Sequence, residues 1–169
     1  MTLDIALEAD EDWDSSTTGW ADLARRAAEA AIAESAFPQL AAAPRPVELS
    51  IRLTNDDEVH ALNAQWRGKD KATNVLSFPL AEADDLNDAN TPGPELMLGD
   101  IVLARGVCGT EAADKAIPLA AHAAHLMVHG TLHLLGYDHM DDEAAEDMEA
   151  REIRALARLG IADPYGDRG

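Results

Sequence analysis

Three histidines carry the clearest chemistry in this chain: His129, His133 and His139, within His129-Gly-Thr-Leu-His-Leu-Leu-Gly-Tyr-Asp-His139. The first two are four residues apart, so on a helix they share one face, a turn from each other. Gly136 permits a left-handed residue that ends the helix and turns the chain back, bringing His139 round as a third ligand. Three neutral imidazoles favour zinc or a related divalent transition metal, one ion per chain. Three protein ligands leave a coordination position open, the arrangement of a catalytic rather than a structural site.

The spacing follows the long zincin pattern, His-Glu-x-x-His-x-x-Gly-x-x-His, at every position but one. Gly130 stands where that pattern has its glutamate, the general base of zinc peptidases. The cage is therefore expected without the usual base. Asp138, beside the third histidine, is a candidate catalytic residue: it could accept a proton or orient a ligand imidazole, or it could only shape the turn. His122 and His125 extend the stripe, so that four histidines lie within an arc of about 80° at 100° per residue. His122 is seven residues before His129, about 10 Å along the axis and too far to share the ion. His125 supports the ligands from behind, faces a substrate channel, or packs between helices. Tyr137 and Thr131 read as structural.

The elements that position these residues form a mixed α/β (α+β) layout in one domain spanning 1–169. Alternation marks strands at 3–7, 47–53, 74–78 and 100–103. Helices are expected after a Thr17 or Thr18 cap, from Asn55 to Trp66 with Asn55 and Glu58 as a capping box, over 105–115, from Pro118 to about Leu135, and over 141–159. The sum is a four-stranded mixed sheet and about five helices, with the metal site on a helix of the C-terminal half and the turn that follows it. Residues 82–95, rich in Asp, Asn, Pro and Gly, read as a mobile loop.

Composition narrows the function. Thirteen basic against 32 acidic residues give a formal charge of −19, which argues against coating nucleic acid by bulk electrostatics. The basic cluster Arg67, Lys69 and Lys71 is a local exception and a candidate anion site. No apolar run is long enough to span a bilayer, no secretory signal is visible, and the single Cys108 allows no internal disulfide. A cytoplasmic protein with no membrane partner is expected.

Two segments resemble the YbeY family: Arg67-Gly-Lys-Asp-Lys-Ala-Thr-Asn-Val-Leu-Ser-Phe-Pro79, and His122 through His139. Leu98-Gly-Asp-Ile-Val102 and the stretch from Glu149 to Tyr165 extend the resemblance to roughly residues 45–165; Ala72 departs from the family's usual proline. The resemblance implies a zinc-dependent, single-strand endoribonuclease of ribosomal RNA maturation, acting at the 16S rRNA 3′ end and in ribosome quality control. It implies zinc on His129, His133 and His139, and a functional arginine, Arg67, at the rim of the cleft. It further implies ribosomal RNA and the 30S subunit as partners, with a ribosomal or assembly-factor protein presenting the substrate to so acidic a body. Two other readings stay open: a zincin-like metallohydrolase or peptidase, and a ribosome-assembly factor with a mainly structural metal.

Overall fold

Alternating apolar residues build the sheet that carries the site. In the computed structural model, which describes residues 3–11, 13, 19–43, 45–87, 93–137 and 141–164, four strands form: β1 (Leu3–Ala9), β2 (Val47–Thr54), β3 (Val75–Pro79) and β4 (Leu96–Ala104). They stand in the order β1-β2-β4-β3. β2 runs parallel to both β1 and β4, and β3 closes one edge antiparallel to β4. The mixed four-stranded sheet agrees with the sequence reading.

One face of the sheet is the main core. Val47, Leu49, Ile51 and Leu53 of β2 are buried there with Ile101 and Leu103 of β4. Against it lie α1 (Trp20–Ala33) and α5 (Leu119–Leu134), with α6 (Asp142–Arg158) packed on both helices. Ala24, Ala27, Ala28 and Ala31 are fully buried, and their small side chains let α1 approach α5 closely. The other face carries a smaller cluster, where Val59 and Leu62 of α2 (Asp56–Arg67) meet Leu76, Phe78 and Val102. α4 (Arg105–Asp114) follows β4 and packs on α5.

Several expectations need correction. The described residues hold six α-helices rather than five, since Ala83–Asn87 form a short helix, α3, inside the segment read as a mobile loop. The Glu82 N–H donates to Asp85 Oδ2 at 2.9 Å to start it; residues 88–92 lie outside the described set. A 3-10 helix over Pro38–Ala42 also went unread. β4 begins four residues earlier than expected, because a register shift opposite Glu48/Leu49 absorbs the interruption at Gly99. The residue before α1 is Gly19, without a side-chain cap; Thr17 and Thr18 lie outside the described residues. Pro118 is the N-cap of α5 rather than part of its first turn. Asn55 caps α2 by accepting the Glu58 N–H at 2.8 Å, but the Glu58 carboxylate turns to Arg52 and Thr54 instead of closing the box. Among the described residues no helix is long and apolar enough to cross a membrane.

Candidate metal centre and its cleft

The helix predicted to carry the histidines does so. α5 ends at Leu134, the Gly136 and Tyr137 N–H groups close the last turn onto His133 O and Leu132 O, and Gly136 takes a φ of 97°. That conformation is the left-handed one a side chain would resist. His139 and Asp138, which follow, lie outside the described residues. Among the described residues no three metal-ligating side chains converge.

His129 and His133 meet with their Nε2 atoms 2.9 Å apart. Their other ring nitrogens are both engaged by acceptors. His133 Nδ1 faces the Tyr137 carbonyl at 2.8 Å, and His129 Nδ1 bonds Glu152 Oε1. An acceptor at Nδ1 holds the proton there and leaves the Nε2 lone pair for a metal. Two such lone pairs facing each other repel unless a cation stands with them. The donor set therefore fits a divalent metal of the zinc class.

Glu152 was missed by the sequence reading, hidden among the many acids of α6. It is fully buried. It also lies 3.7 Å from His125 Nε2, so His125 sits one residue removed from His129, behind the pair. Tyr137 contributes more than packing: besides its carbonyl, its hydroxyl accepts the Ala36 N–H at 2.9 Å, and Arg151 lies over its ring. Thr131 is buried and donates to Met127 O at 2.7 Å, a structural role.

His122 is turned away from this centre. Its Nε2 lies 2.9 Å from Glu111 Oε1, and Glu111 also accepts from Asn74. Burial holds the His122 imidazole below its usual range, against the opposing pull of Glu111. Burial likewise pushes the Cys108 thiol up to about 12, which leaves it no role as a thiolate nucleophile.

The two histidines open into a cleft of about 390 Å³ lined by Arg67, Val75, Ser77, Pro79, Gly136 and Tyr137. Arg67 is the last residue of α2, which Gly68 ends. Its Nη2 donates to Ser77 O at 2.7 Å, and its guanidinium lies 5.8 Å from the Phe78 ring centroid. These contacts hold it in the wall of the cleft that the histidines also line. Lys69 and Lys71 are exposed on the following loop and are not among the lining residues. No carboxylate is among the described residues lining the cleft, although the chain has 32 acids.

Gly130 has a packing reason. A Cβ there would stand 2.9 Å from Ile101 Cγ2 and 3.1 Å from Ser77 Oγ. The helix therefore approaches β3 and β4 where the zincin glutamate would have to fit. The edge strand β3 is also unsuited to a peptide. Asn74 O and Leu80 N bond β4, so the odd positions between them turn their backbone groups outward. There Pro79 has no N–H and Ser77 O is taken by Arg67.

Known proteins resemble this chain. The family model described as Endoribonuclease YbeY matches residues 7–160. An Endoribonuclease YbeY of Rhizorhabdus wittichii is 54% identical over 165 residues, 96% of this chain and 96% of that protein. One from Sphingopyxis alaskensis is 57% identical over 150 residues, 88% of this chain and 89% of that protein. A solution structure from Thermotoga maritima has a TM-score of 0.54 at 22% identity, covering 95% of this chain and 98% of that one, a likeness of fold.

Proposed function

This chain belongs to the YbeY family, and from that premise we propose that it is a zinc-dependent, single-strand endoribonuclease that matures ribosomal RNA. The observation that carries this reading is a cleft whose described lining holds two imidazoles and an arginine but no carboxylate, in a chain of charge −19. Such a site receives an anion, and a phosphodiester is the anion an endoribonuclease must hold. His129 and His133, with His139 from the sequence, would hold the zinc, which supplies Lewis-acid neutralisation of phosphate charge when bound. Glu152 and the Tyr137 carbonyl fix the two imidazoles. Arg67 offers further guanidinium donors to phosphate oxygens, in a fork that a lysine cannot reproduce. Asp138 is the proposed proton acceptor, and Lys69 and Lys71 extend the basic rim along the RNA.

The proposed setting is the bacterial cytoplasm, with the 3′ end of 16S rRNA on the 30S subunit as substrate and ribosome quality control as the wider role. An acidic body repels free RNA, so the ribosome or a protein partner would present the strand. The peptidase reading is disfavoured by the blocked β3 edge and the crowding around Gly130.

The test is cleavage of single-stranded RNA by purified protein with its zinc content measured. Arg67→Ala is expected to lower cleavage about 10²- to 10³-fold with zinc retained, and Arg67→Lys to recover little of it. Full activity in Arg67→Ala, or in protein stripped of metal, would sink the mechanism. Glu152→Gln is expected to weaken zinc about 10- to 100-fold in a chelator competition. An unchanged zinc affinity would remove Glu152 as the group that orients His129.

A further inference from the structure

Among the described residues the two exposed large hydrophobic side chains, Trp66 and Leu80, at 64% and 59% exposure, line one groove. It is a cavity of about 560 Å³ on the α2 side of the sheet, floored by Phe78 and Val102. The groove and the candidate cleft share a wall. Along β3, Ser77 and Pro79 line the cleft while Phe78, between them, lines the groove. Arg67 lies over Phe78 and reaches the cleft, and Trp66 precedes it at the end of α2.

We propose that this groove is a stacking subsite for an unpaired nucleobase of the RNA, one step along the strand from the phosphate held beside Arg67. The inference rests on the nuclease reading and deepens it. Flat aromatic surface beside a guanidinium is the chemistry that binds single-stranded nucleic acid, because every base has a π face. Among the described residues the lining carries Glu8, Glu58 and Asp100 against Arg52, so it repels phosphate and admits the uncharged base. Arg52 pairs with both glutamates, while Asp100 accepts from Ser50 Oγ. A carboxylate acceptor at the groove favours bases with an exocyclic amino group, which adenine and cytosine have and uracil lacks.

Tryptophan fluorescence reports on this groove, since Trp13 and Trp20 are only 2% and 4% exposed. Short cleavage-resistant phosphorothioate oligoribonucleotides of adenosine, cytidine or uridine are titrated against the zinc-loaded protein. The adenosine and cytidine oligomers are expected to quench emission and to bind more tightly than the uridine oligomer. Trp66→Ala, at an exposed position that does not threaten folding, should abolish the quench and weaken binding roughly 5- to 150-fold. Equal binding of all three oligomers would overturn the assigned role of the carboxylates. Quenching by a basic amphipathic peptide, with none by any oligomer, would make the groove a protein-docking surface and overturn the stacking site. Cleavage without quenching removes this subsite and keeps the nuclease; quenching without cleavage does the reverse.

Discussion

Replacing Gly130 by glutamate is expected to destabilise the fold by more than about 4 kcal/mol and to yield no peptide-cleaving activity. The Cβ alone would press on Ile101 Cγ2 at 2.9 Å, Ile101 Cδ1 at 3.2 Å and Ser77 Oγ at 3.1 Å. Ile101 is fully buried in the interior strand β4, so its branched side chain has no room to swing away. Gly130→Ala should therefore cost about 1–3 kcal/mol through overpacking. A glutamate adds a buried carboxylate without a partner. The alanine variant also pushes α5 from the sheet between His129 and His133, so its RNA cleavage should fall more than its stability does. Thermal melts of both variants, with peptide and RNA cleavage assays on each, check the ordering. A glutamate variant that melts with the native protein would show that α5 does not depend on this close approach.

The pairing of His129 with His133 was legible in the sequence because its geometry is local. Four-residue spacing on a helix and a glycine after it place His129 and His133 together with no knowledge of the rest of the fold. What supports them was not legible. Glu152 comes from α6, 23 residues after His129, and nothing in its local spacing separates it from the acids around it. Only the packing of α6 on α5 selects it. Gly130 was legible only in part: read along the chain it is an absent base, and read across the sheet it is also the point where helix and strands touch. The early start of β4 was hidden by Gly99, which breaks the alternation. The backbone takes a φ of 144° there, and the strand continues through an irregularity that periodicity cannot foresee. Arg67 was legible as a residue but not in its setting, since its grip on the Ser77 carbonyl depends on where α2 ends beside β3.

The largest loss of activity is expected at His129 and His133, and the two variants should differ in a way that separates support from ligation. His129→Ala and His133→Ala are each expected to lose bound zinc and to lower RNA cleavage by on the order of 10³-fold or more, the several kcal/mol that a metal contributes to charge stabilisation. Their stabilities should diverge. His129→Ala takes a hydrogen-bond partner from Glu152, a fully buried carboxylate, which His125 approaches to 3.7 Å. Stripping a buried charge of its partner costs up to about 3–5 kcal/mol. His133→Ala deprives the Tyr137 carbonyl, a neutral acceptor, of its donor, at about 1–3 kcal/mol. Melted in chelator, where neither variant nor the native protein holds metal, His129→Ala should be the less stable of the two. Adding Glu152→Leu to His129→Ala should then recover part of the deficit, since an apolar side chain of similar volume needs no partner. Equal melting of the two single variants would mean that Glu152 does not depend on His129, and the carboxylate would lose its place in the site.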